Sequence, residues 1–146
     1  MTNLIKKIAA MAAAVMMMAS MSIGASASGI IIDRAPAPYV SKYMRMACEG
    51  HIYTGSYKRR VFNLTNSRSS TKRYFYARVQ ILNGSYKLIK PEAQGKVLNY
   101  GNILAPDITV TNKNSTFGIC YSAVRKTTNS KSTVIDNNQT PISLKY

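Results

Sequence analysis

Read in steps of two, residues 70–82 (STKRYFYARVQIL) separate into two faces. Arg73, Phe75, Ala77, Val79 and Ile81 make one set, and Lys72, Tyr74, Tyr76, Arg78 and Gln80 make the other. Alternation sustained over that length predicts a β-strand with one side in a core. The other side interleaves cations with phenol rings. From Tyr39 onward the texture is uniform, with short β-branched and aromatic runs between clusters of Asn, Gly, Ser and Pro. Strands are predicted at 39–47, 51–54, 59–65, 71–82, 86–90, 96–100, 107–112, 116–127, 132–136 and 141–146. Such closely spaced short strands predict an all-β fold, an antiparallel β-sandwich with a small β-barrel as runner-up.

Turn chemistry sharpens the picture. NSRSS at 66–70, NGS at 83–85, NKNS at 112–115 and TTNSKS at 127–132 carry the residues that close antiparallel hairpins. KPEAQG at 90–95 and APD at 105–107 read as irregular connections. In YVSKYMRMACEG, Val40, Met44, Met46 and Cys48 fit period two, while a short helix grouping Tyr39, Tyr43 and Met46 is the competing reading. In TFGICYSAVRK the apolar set is Phe117, Ile119, Tyr121 and Ala123, leaving Cys120 on the other parity. A central strand covered on both faces, with the Cys48 segment across it, accommodates both sets; a local bulge is the alternative.

The N-terminus has a different character. Lys6 and Lys7 precede an uncharged Ala- and Met-rich run from Ile8 to Gly24, and ASAS follows. A basic start, an apolar stretch and small residues at Ala25 and Ala27 have the form of a secretory signal peptide, here residues 1–27. The expected organisation is then an extended leader at 28–38, held open by Pro36 and Pro38, and a single β domain at 39–146. The mature chain offers no second apolar run as a membrane span. An exported chain with two cysteines predicts one Cys48–Cys120 disulfide. The loop it would close is long enough for about 4 kcal/mol of chain-entropy stabilisation.

Charge alters the functional outlook more than any motif does. The chain carries 20 Lys and Arg against 5 Asp and Glu, a net charge of +15, and two of the lysines leave with the signal peptide. Catalytic material is sparse. The single histidine, His51, neighbours Cys48 and Glu49, but in a strand Cys48 and His51 face opposite ways and the thiol is expected to be oxidised. Asp33, Glu49, Glu92, Asp107 and Asp136 show no pairing suited to acid–base work. Two distant cysteines and one histidine do not make a four-ligand zinc site, and no Gly-rich phosphate loop is present. Neither metal nor cofactor is expected. N-x-S/T sequons at Asn63, Asn83, Asn114 and Asn138 carry little weight in a chain this rich in Asn, Ser and Thr.

Cations beside rings remain, as in Lys42-Tyr43, Tyr57-Lys58-Arg59-Arg60, Lys72-Arg73-Tyr74 and Tyr86-Lys87. Lys and Arg attract anionic polymers, and an exposed ring stacks on a base or a sugar. The candidate binding residues are Lys58, Arg59, Arg60, Lys72, Arg73, Tyr74, Tyr76 and Arg78, with the 58–60 run expected to be solvated. The functional expectation is a secreted, extracellular, non-enzymatic protein whose positive field holds it to an anionic polymer. Teichoic acid, acidic polysaccharide, extracellular nucleic acid and anionic lipid surfaces are the candidate partners. A bacteriocin-like secreted toxin is the alternative, though no amphipathic membrane-seeking helix is evident.

Overall fold

The computed structural model describes residues 31–146; the expected signal peptide lies outside the described residues. Ten strands follow in chain order: β1 (Ile31–Arg34), β2 (Tyr39–Val40), β3 (Met44–Tyr53), β4 (Lys58–Ser67) and β5 (Arg73–Leu82). Then come β6 (Leu88–Leu98), β7 (Ile103–Leu104), β8 (Asp107–Thr111), β9 (Phe117–Arg125) and β10 (Val134–Ser143). They form two antiparallel sheets, the predicted sandwich.

In the first sheet, β3 and β4 are central. β1 and β2 lie end to end along β3, with Asp33 opposite His51 and Tyr39 opposite Met46. The prolines between β1 and β2 break this edge, because each removes a ladder donor. β7 and β8 lie end to end along β4 in the same way, interrupted at Pro106, whose carbonyl accepts from the Asn63 amide at 3.1 Å. The second sheet has the order β10-β9-β5-β6.

The core fills the space between the sheets. Met46, Val61, Val79, Ile81, Ile108, Ile142 and Leu144 surround a disulfide between Cys48 and Cys120. The bond ties the central strands β3 and β9 across the sandwich, with Cα atoms 5.9 Å apart and a sequence separation of 72. A buried polar knot sits beside it. Asn63 Nδ2 donates to Ser122 Oγ at 2.9 Å and to the Tyr121 carbonyl at 3.0 Å, and Thr65 Oγ1 donates to Asn63 Oδ1 at 3.0 Å. Each member has a partner, as groups this deep require. Asn63 is fully buried, so its sequon is inaccessible in the folded domain.

Several local expectations are revised. β3 is one strand through Glu49 and Gly50, where two were expected. Gly50 is there for space, since a Cβ would stand 2.8 Å from Leu144 Cδ2. β6 runs unbroken through Pro91 and Gly95, and β10 runs unbroken through Pro141. Both are edge strands of the second sheet, where a proline can turn its missing donor away from the ladder. NGS closes the β5–β6 hairpin and TTNSKS closes β9–β10, as predicted. NSRSS and NKNS instead carry the chain from one sheet to the other.

Strand β9 is central, and its parity answers the cysteine question. Gly118, Cys120, Ser122 and Val124 point inward and are buried, while Phe117, Ile119 and Tyr121 turn outward and are half-buried. Strand β5 divides as predicted: Phe75, Ala77, Val79 and Ile81 are fully buried, and Tyr74, Tyr76 and Arg78 are partly exposed.

Candidate functional surface on the second sheet

Cross-strand register places residues of like parity on one face. Arg78 stands opposite Tyr121 on β9 and Ala93 on β6, and Gln139 of β10 stands opposite Tyr121. The next row is Gly95, Tyr76, Ala123 and Asn137. The row on the other side is Pro91, Gln80, Ile119 and Pro141. On β6 these rows carry the small Ala93 and Gly95, whereas β10 presents Asn137, Gln139 and Pro141.

The Arg78 guanidinium lies 5.3 Å from the centre of the Tyr121 ring, and the Tyr76 ring is 6.2 Å from that of Tyr121. Arg78 Nε is without a partner, and no side-chain hydrogen bond or ion pair engages the guanidinium among the described residues. A second cation–ring group lies along β9. Tyr86 stacks on Phe117 at 4.9 Å, and Lys145 Nζ lies 5.2 Å from the Phe117 ring. Tyr86 is 69% exposed and has a left-handed backbone, φ 59°. Asn83 holds that turn, its carbonyl accepting from the Tyr86 amide at 2.9 Å and its Oδ1 from the Ser85 and Lys87 amides.

Carboxylates are absent from these rows. Glu92 and Asp136, the acids of β6 and β10, have the inward parity of Val79 and Val124. Asp136 is engaged, accepting from Tyr39 Oη at 2.7 Å and from Ser41 Oγ. The bond to Asp136, joined by burial, raises the Tyr39 phenol above its usual pKa.

The remaining sequence candidates lie elsewhere. Lys72 is exposed at the entrance to β5, and Arg73 has the opposite parity to Arg78. Lys58, Arg59 and Arg60 belong to the first sheet, and the expectation that this run is solvated is corrected. Arg59 is buried, donating from Nε to the Leu144 carbonyl at 3.0 Å and from Nη1 to the Lys58 and Ser56 carbonyls. Arg60 is paired with Asp107, which raises the guanidinium pKa further. Lys58 Nζ rests 4.5 Å from the centre of the Tyr53 ring. A basic run in a strand must alternate, and here the alternation sends its middle member inside.

Sequence reasoning missed Tyr121, Phe117 and Lys145, and noted Tyr86 only as a ring beside Lys87. The signal for the first two was Cys120: once its sulfur must reach the other sheet, its odd-numbered neighbours must turn outward.

The first sheet carries the other chemical cluster. His51 Nε2 lies 2.7 Å from Glu49 Oε1 and 3.4 Å from Asp33 Oδ1, and the ligand atoms of the three residues fall within 4.8 Å of one another. The imidazole is fully buried and its Nδ1 has no partner. A proton on Nε2 serves the carboxylates, and Nδ1 is left without a partner. A metal at Nε2 would move that proton to Nδ1, where nothing accepts it, whereas metal-bound histidines ordinarily donate that second N–H. The donor set suits a pin holding β1 to β3 better than a metal centre. The Cys48–His51 couple is closed by the disulfide. No helix among the described residues is long and apolar enough to cross a membrane.

No known family model matches the chain, and no curated protein matches it. Solved structures resemble it distantly. A β-glucuronidase from glycoside hydrolase family 2 shares 12% identity at a TM-score of 0.38, covering 76% of this chain and 11% of that protein. The Bacteroides uniformis β-glucuronidase shares 11% at a TM-score of 0.40, covering 76% and 12%. β-Glucosidase 3B from Thermotoga neapolitana shares 11% at 0.32, covering 78% and 16%. The chain thus spans a small fraction of each, and likeness at this level carries nothing about activity.

Proposed function

We propose that this is a secreted, non-enzymatic β-sandwich that binds anionic extracellular polymers through the outer face of its second sheet. The observation that carries the reading is Arg78: a guanidinium set over the Tyr121 ring that makes no hydrogen bond or ion pair to the described residues, on rows without a carboxylate. A planar cation held over a ring keeps its donors in a fixed fork, suited to bidentate capture of carboxylate or phosphate. Tyr76 and Tyr121 offer ring faces and edges to the sugar or base beside that anion. The excess of Lys and Arg over Asp and Glu, 20 against 5 before the two signal-peptide lysines are removed, supplies the attraction at longer range. Closure of the thiol in the disulfide, and use of His51 as a pin, favour binding over catalysis.

Retention on a heparin column as salt is raised tests this. The wild-type protein is expected to elute at high salt, with a steep logarithmic salt dependence from released counterions. Arg78→Gln should lower the elution salt and reduce the slope by about one contact. Tyr121→Ala should weaken retention without changing the slope. Retention indifferent to both substitutions would sink the proposed face, and retention insensitive to salt would sink the electrostatic reading. Dye release from anionic vesicles would instead indicate a toxin.

A further inference from the structure

A separate cleft opens where the two sheets end. It has a volume of about 600 Å³ and takes Tyr43 from the loop before β3, with Thr71 and Arg73 from the entrance to β5. Lys126, Thr127 and Thr133 come from the β9–β10 hairpin, and Ile135 completes the wall. Arg73 lies five positions before Arg78 and has the opposite parity, about 17 Å away along the strand, so this is not the sheet-face surface.

Arg73 and Lys126 are the charged residues of the lining. The Arg73 guanidinium lies 5.3 Å from the centre of the Tyr43 ring, and Lys42 Nζ is 4.8 Å from it. Arg73 is held in place, Nε donating to Ser69 Oγ at 3.2 Å and Nη1 to the Lys126 carbonyl, which leaves Nη2 available. Lys126 adds a second positive charge on the lining, and no carboxylate lines it. The nearest acid in sequence, Asp136, is committed to Tyr39 and Ser41. Around these cations stand the threonine hydroxyls and the apolar surfaces of Ile135 and Tyr43.

We infer that the cleft binds a pyranose carrying one anionic substituent. The anion sits between Arg73 Nη2 and the Lys126 ammonium, where both charges act at hydrogen-bond range. The sugar hydroxyls meet Thr71 and Thr133, and the less polar ring face lies on Ile135. A lining that combines two cations, threonine hydroxyls and apolar surface suits a ligand with an anionic group, hydroxyls and a less polar face. The inference does not rest on the role given to Arg78.

Amide chemical shifts of the purified protein, followed during titration with glucuronate, glucose or inorganic phosphate, test it. Glucuronate is expected to move Tyr43, Arg73, Lys126 and Thr127 in a saturable way, and glucose to leave them in place. Phosphate should bind at least about tenfold more weakly, lacking the ring contacts. Lys126→Gln should weaken glucuronate about tenfold, the loss of one charged hydrogen bond. Arg73→Gln should do the same, but it also frees the Lys126 carbonyl, so the exposed Lys126 is the cleaner variant. Shifts centred on Arg78 and Tyr121, equal response to glucose, or absence of a response would overturn the inference. Phosphate binding as tight as glucuronate would reduce the cleft to a simple anion site and overturn it as a sugar site. Heparin retention of Lys126→Gln should still depend on Arg78, which separates this outcome from that of the sheet face.

Discussion

The ring of Tyr74 lies across the backbone of Gly95 on the neighbouring strand, so that a Cβ built on Gly95 would stand 2.6 Å from Tyr74 Cζ. The glycine is a slot for the tyrosine. Gly95→Ala should push the half-exposed ring off β6 at a cost below about 1 kcal/mol, because the far end of a side chain moves easily. Gly118 makes the contrasting case, with its built Cβ 2.7 Å from Val61 Cγ2 inside the core. Gly118→Ala should cost about 1–3 kcal/mol, since neither sheet can give way. Urea unfolding of the two variants checks the difference.

The Cys48–Cys120 bond crosses between the sheets and closes a long loop. Replacing both residues with Ala should lower stability by about 2–4 kcal/mol while preserving the strand content. Denaturant midpoints measured beside far-ultraviolet circular dichroism give both quantities. An unchanged midpoint would show that packing alone holds the sheets together.

Arg59 and Lys58 are neighbours with opposite fates. Arg59→Ser removes the donors to the Leu144, Lys58 and Ser56 carbonyls and should cost about 1–3 kcal/mol. Lys58→Ser should change stability by less than about 0.5 kcal/mol. Thermal melts of the two single variants distinguish a structural arginine from a solvated lysine. Equal melting temperatures would refute the assignment.

Tyr39 predicts an alkaline response. Its folded pKa is raised from 10.0, chiefly by the hydrogen bond to Asp136, so the native state favours the neutral phenol more than the unfolded state does. The stability from this pair is therefore fully present below pH 10.0 and is lost as pH rises through the higher folded value. Tyr39→Phe lacks the bond at every pH, so its deficit relative to wild type should shrink above pH 10.0. Unfolding free energies of both proteins between neutral and alkaline pH test the sign.

Alternation in the chain was enough to determine the all-β class, the two faces of β5 and the burial of Phe75, Val79 and Ile81, because side-chain direction in a strand has period two whatever the strand pairs with. The cysteine count likewise determined the disulfide. Strand limits needed the neighbours. Pro91 and Pro141 look like breaks until β6 and β10 prove to be edges, and Gly50 looks like a turn until Leu144 is seen against it. NSRSS and NKNS have hairpin chemistry, but a turn motif does not say whether the next strand joins the same sheet or the facing one. The candidate surface divided for the same reason. Tyr74, Tyr76 and Arg78 share a face by local parity, whereas the place of Tyr121 beside them depends on the register of β5 with β9. Arg59 faces inward by the parity it shares with Val61, but its bond to the carbonyl of Leu144, far away in sequence, depends on the fold. Parity is a property of the strand itself, but partnership belongs to the assembled sheets, and only tertiary structure could decide which cations are spent and which are free.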